Sequence, residues 1–124
     1  MIGYITLGSN NIQASTEFYD QIFNELGASR IWDTPSFIAW GADKNSPFFA
    51  VTSPFNKEPA TAGNGVMIAI KAPNPESVGL AHATALKLGA INEGEPGVRP
   101  AGFYCAYCRD LDGNKLNFYC APQE

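Results

Sequence analysis

Two stretches of the chain carry apolar residues at helical spacing, and each is framed by short runs of strand character. Phe18, Tyr19, Ile22, Phe23 and Leu26 recur at i, i+3 and i+4, which puts them on one broad stripe of a helix. Asn10 or Asn11 caps its start by accepting from the first free backbone N–H groups, and Gly27 supplies the left-handed stop. In the second half, Asn74 is a cap followed by Pro75 at the first helical position, and Gly89 is the matching stop.

The runs Tyr4–Leu7 and Val66–Ile70 precede the helices as strands. Residues 37–40 and 48–52 follow the first helix, and residues 103–109 and 115–120 follow the second. Leu26-Gly27-Ala28 returns as Leu88-Gly89-Ala90, 62 residues later and half the length of the 124-residue chain. The pattern is therefore strand, helix, several strands, given twice. It predicts an α+β domain of two tandem βαβββ modules, the first over 1–58 and the second over 64–124. Residues 53–65, rich in Pro, Gly and small polar types, read as the linker. A sheet with a helix on one face leaves the other uncovered, so the two modules are expected to join and enclose a cleft that holds the ligand site. Residues 94–102, with three Gly and two Pro, read as a mobile loop able to act as a lid.

Asp112-Gly113-Asn114 between two strand-like runs is the clearest turn signal. A loop over 110–114 opposes Arg109 to Lys115, Tyr107 to Asn117, and Cys105 to Tyr119. Alternation then sends Phe103, Cys105, Tyr107, Asn117 and Tyr119 to one face, the expected cleft lining. Tyr104, Ala106, Cys108, Leu116, Phe118 and Cys120 go to the other, against the helix.

Composition narrows the classes. Apolar residues make up 45% and charged ones 16%, as in a globular domain. A net charge of −4 with eight scattered Lys and Arg leaves no basic face for nucleic acid. No stretch approaches the roughly 20 apolar residues of a membrane helix, and the first residues lack the features of a secretion signal. Three cysteines, an odd number, suit free thiols in a cytoplasmic setting better than a disulfide framework. Cys105 and Cys108 have C-x-x-C spacing, but three residues along a strand point to opposite faces, so they cannot meet over a metal or a disulfide.

"DLDGNKLNFYC" near the end resembles the D-P-D-G-N-x-x-E ending of the vicinal-oxygen-chelate superfamily, which includes glyoxalase I, bleomycin-resistance proteins and extradiol dioxygenases. "GYITLGSNNIQASTEFYDQIFNELGA" resembles its opening strand and helix. The resemblance implies a glyoxalase-like fold and metal ligands on the first and last strands of each module. By motif these fall on Tyr4, Met67 and Asn117, where His or Gln, His and Glu are usual, and on Ala50. A phenol, a thioether, an amide and a methyl group offer no charge to a divalent ion, so no tightly bound metal and no cofactor is expected.

The resemblance also implies a homodimer, as in the bleomycin-resistance branch. The expected function is binding, with or without metal-free chemistry, of a small and partly apolar molecule. Tyr4, Thr6, Met67, Cys105, Tyr107 and Asn117 are the expected ligand contacts, and Tyr107 or Tyr4 the acid or base of any reaction. Two other readings stand beside this one: a metal-dependent lactoylglutathione lyase- or dioxygenase-like enzyme, and a dimeric structural module with a vestigial cleft. His82, the one histidine, lies within the second helix and reads as a packed residue. Arg99 and Arg109 either recognise an anion or serve as a loop arginine and a hairpin ion pair with Asp110 or Asp112.

Overall fold

The computed structural model describes residues 1–122; residues 123 and 124, the end of the second module as bounded above, lie outside them. The chain forms two compact units, one over Met1–Ala62 and one beginning at Gly63.

In the first unit, β1 (Tyr4–Gly8) leads into α1 (Ile12–Glu25), followed by β2 (Ser29–Asp33), β3 (Phe37–Gly41) and β4 (Phe48–Thr52). The strands make one mixed sheet in the order β1-β4-β3-β2, with β1 parallel to β4. Asn11 is the cap of α1, its Oδ1 accepting from Ala14 N at 3.0 Å. The apolar stripe of α1 lies on one face of the sheet. Tyr19 and Phe23 stand 4.8 and 5.1 Å, centroid to centroid, from Phe49, and both stand 5.6 Å from Trp40. Trp40 is buried, and its indole N–H donates to Asp20 Oδ1 at 2.8 Å. Asp20 also holds Arg30 in an ion pair. The Arg30 guanidinium, helped by the Trp40 N–H and opposed by partial burial, keeps this carboxyl below its usual range.

The second unit repeats the plan: β5 (Met67–Lys71), α2 (Pro75–Lys87), β6 (Ile91–Val98), a short 3₁₀ turn (Pro100–Gly102), β7 (Tyr104–Arg109) and β8 (Lys115–Cys120). Its sheet order, β5-β8-β7-β6, is the same pattern. Asn74 caps α2 with Pro75 in the first turn, and Gly27 and Gly89 carry the positive φ of the two helix stops. Val78, Ala81, His82 and Ala85 of α2 are buried, as are Ala106, Cys108, Leu116 and Phe118 on the sheet. The β7–β8 register is the one the loop length predicts: Tyr107 opposes Asn117, Cys105 opposes Tyr119, and Arg109 opposes Lys115.

Three expectations change. Residues 94–98, read as part of a mobile lid, belong to β6 and pair with β7. Pro96 is tolerated because β6 is an edge strand, and the irregular register between Asn92 and Gly97 hides the alternation that reveals a strand. Arg109 pairs with Glu93 on β6 and donates to Gly113 O at 3.2 Å, while Asp110 accepts from Asp112 N and Asn114 N, both at 2.9 Å, to build the turn. Residues 53–61, read as linker, fold back on the start of α1. Asn10 grips Ala60 at both ends of its amide, Nδ2 to Ala60 O at 3.1 Å and Ala60 N to Oδ1 at 2.7 Å. Among the described residues no helix is long and apolar enough to cross a membrane.

Candidate functional site

On the sheet of the second unit, Met67, Cys105, Tyr107 and Asn117 share the face turned away from α2. The central row across it is Ala69, Asn117, Tyr107. Asn117 is 7% exposed, and its Oδ1 is buried with no hydrogen-bond partner among the described residues. A buried carbonyl oxygen left unpaired costs about 1–3 kcal/mol, so native chains retain few of them. The Tyr107 ring beside it is flanked by two cations, the Arg99 guanidinium 5.4 Å and the Lys115 ammonium 5.5 Å from its centroid.

Burial pushes the Tyr107 phenol above its ordinary range. A hydrogen bond with the Cys105 thiol adds to the shift, and Arg99 opposes it. At neutral pH this phenol is protonated and available as a donor. Cys105 and Cys108 face opposite ways, and all three thiols are free. Burial pushes Cys108 to about 12, with Asp110 and Glu93 adding to it, which makes it an inert core thiol.

Other residues hold this row, and sequence reasoning gave them no such role. His82 on α2 is buried, with Nε2 3.1 Å from Asn92 Oδ1 and 3.2 Å from Tyr107 O, so that nitrogen carries the proton and ties helix to strand. Asn92 Nδ2 donates to Glu95 Oε1 at 2.6 Å, and Arg99 Nη2 donates to Glu95 O at 2.6 Å. The bulged strand thereby folds Arg99 back over Tyr107.

In the first unit, the row equivalent to Ala69–Asn117–Tyr107 is Thr6–Ala50–Ala39. Tyr4 is exposed, stacked on Phe48 at 4.8 Å and edge-on to Phe37 at 6.3 Å. Thr6 lines an open groove of about 770 Å³ between the sheet and the 53–61 segment.

The residues at the ligand positions do not fit a divalent metal. Ala50 is a buried methyl group, Met67 an exposed thioether, and Asn117 a neutral amide. Tyr4 is a phenol that must ionise to ligate. Among the described residues, no three His, Cys, Asp or Glu side chains are grouped to hold an ion.

The sequence pattern of the glyoxalase/bleomycin resistance protein/dioxygenase superfamily matches residues 1–118. A glyoxalase/bleomycin resistance protein of Albidiferax ferrireducens is 32% identical, with 98% of this chain and 99% of that one covered at a TM-score of 0.91. A glyoxalase/bleomycin resistance protein/dioxygenase family enzyme of Burkholderia phytofirmans shares the fold at 18% identity, 96% and 97% coverage, and a TM-score of 0.77. A glyoxalase-related enzyme of Fulvimarina pelagi does so at 20% identity, 97% and 87% coverage, and a TM-score of 0.77. No curated protein matches the chain. Two tandem βαβββ units of one topology, matched along nearly their whole length, make the chain a member of the glyoxalase/bleomycin resistance protein/dioxygenase superfamily.

Proposed function

We propose that the protein binds a small, partly apolar organic molecule without the help of a metal, on the sheet face that carries Asn117 and Tyr107. The observation that carries this reading is the orphaned Asn117 Oδ1. It calls for an N–H or O–H from a ligand, and Tyr107, held protonated beside it, offers an O–H to a ligand acceptor. A ligand oxygen accepts better than the Cys105 sulfur that Tyr107 now meets. Met67 and the Cys105 thiol supply soft apolar contact. The preferred ligand therefore presents a donor and an acceptor side by side, as an amide, a carboxylic acid or an enol does. Should the bound molecule react, Tyr107 is the proton donor. The reading includes a homodimer and a reducing compartment, which the three free thiols suit.

A library of small amides, hydroxy acids and phenols, screened by ligand-observed NMR, tests it. Binders should weaken about tenfold or more in Asn117→Leu, the size of a lost buried hydrogen bond, and less in Tyr107→Phe. Binders indifferent to Asn117→Leu would sink the proposal. Light scattering on the same sample should give twice 13.3 kDa, and a monomer mass removes the dimer from the proposal.

A further inference from the structure

The first unit has a concave surface of its own that the reading above leaves unused. The groove of about 770 Å³ is floored by the end of β1 and walled by the 53–61 segment. Its volume falls within the range of small-molecule sites. Phe37 of β3 and Phe55 of the 53–61 segment both line it.

Phe55 is fully exposed, at 103%, with nothing packed against its ring. A bare aromatic at the tip of a loose loop means little, but this turn is built and pinned. Lys57 N bonds Pro54 O at 3.0 Å, Glu58 N bonds Asn56 Oδ1 at 3.0 Å, and the Asn10 amide clamps Ala60. Lys57 holds a φ of 63°, a backbone region that glycine fills at less strain, yet the position carries an ammonium. Although the chain is at net −4, among the described residues no Asp or Glu lines this groove, and Lys57 is its one lining cation. The exposed Thr6 hydroxyl lies on the floor.

We propose that this groove is a second ligand site, one that takes a small planar aromatic carboxylate. The ring lies between Phe37 and Phe55, and the carboxylate meets the Lys57 ammonium. Ring stacking supplies the apolar contact that Phe55 lacks, and the missing wall charge removes the repulsion an anion meets elsewhere on an acidic surface. The inference does not rest on Asn117 or Tyr107.

The test is a two-dimensional ¹⁵N NMR titration of the whole protein with 2-naphthoate, with neutral 2-naphthol and ring-less acetate as comparisons. Naphthoate should give saturable shifts at the amides of Thr6, Phe37, Phe55 and Lys57, and both comparison compounds should bind more weakly. Lys57→Gln should weaken naphthoate about threefold to fivefold, the size of an exposed ion pair, with the difference shrinking as salt is added. Lys57→Gly, which suits the local backbone, should lose as much, so a folding defect cannot imitate the result. Absence of saturable shifts at millimolar naphthoate, shifts confined to residues 104–120, naphthol binding as tightly as naphthoate, or unchanged affinity in both Lys57 variants each overturns the proposal. Shifts confined to 104–120 at the same time support the Asn117 site, so the two sites fail separately.

Discussion

Asn117 sits in a row of its sheet that the first unit fills with Ala50 and Ala39, both fully buried. Alanine at this depth needs no partner, whereas the Asn117 oxygen lacks one and weakens the fold by about 1–3 kcal/mol. A residue held against stability belongs with function, because natural sequences spend stability at their sites. Asn117→Leu, close in volume and free of polar atoms, is expected to raise the melting temperature by a few degrees. A lower melting temperature in that variant would mean that the oxygen is satisfied in solution and that the argument for a ligand donor has lost its basis. The facing of Tyr107 and Asn117 was legible from the loop length of the last hairpin alone. The missing partner was not, because it depends on every neighbour of one atom. Neither was the Arg99 guanidinium over Tyr107, which directly follows a strand whose own pairing the sequence hides.

Elements with clean periodicity were legible, and those whose pattern is broken for a tertiary reason were not. Both helices announce themselves by stripe, cap and stop. β6 does not, since Gly94, Pro96 and Gly97 interrupt any alternation. Gly94 is required by its neighbour: a Cβ there would stand 2.8 Å from Tyr107 Cδ2, inside the ring's contact distance. β2 was hidden by its largely exposed, charge-bearing sequence and by its irregular register between Arg30 and Trp32. In the 53–61 segment, two prolines and small polar residues signalled irregular backbone correctly, but composition says nothing of where such backbone lies. The Asn10–Ala60 clamp, fifty residues apart, decides that. Gly94→Ala should therefore destabilise by about 1–3 kcal/mol and shift the near-ultraviolet circular dichroism of the tyrosines, as overpacking does. Gly79→Ala in α2, where a new Cβ meets nothing within 4 Å, should instead stabilise by roughly 0.5–1 kcal/mol. Equal effects from the two would show that Tyr107 is free to move aside and that β6 does not fix its ring.

For the whole molecule, the half-chain repeat gave the two-unit plan, and the two sheets share one strand order. What the repeat does not give is how the halves have diverged. Equivalent strands carry Tyr4 and Met67 at their starts, and Ala50 and Asn117 at their centres. All four stand where the motif resemblance leads one to expect the family's ligands, and none brings a carboxylate or an imidazole. Affinity for Zn²⁺, Ni²⁺, Mn²⁺ or Fe²⁺ rests on charge neutralisation and on nitrogen, sulfur or oxygen donors of matching hardness, and a set with one methyl group and no anion supplies neither. Chelator-treated protein returned to each ion should consequently show no specific rise in melting temperature and no stoichiometric metal. A tight ion would stabilise the folded state by about 2.7 kcal/mol at a hundredfold excess over its dissociation constant, well above what such a measurement resolves. One ion producing such a rise would restore the metal-dependent lyase or dioxygenase reading and would mean that ligands other than these four do the binding. With no rise for any ion, the chemistry of the second sheet is left to Asn117, Tyr107 and the hydrogen-bonding molecule we propose for them.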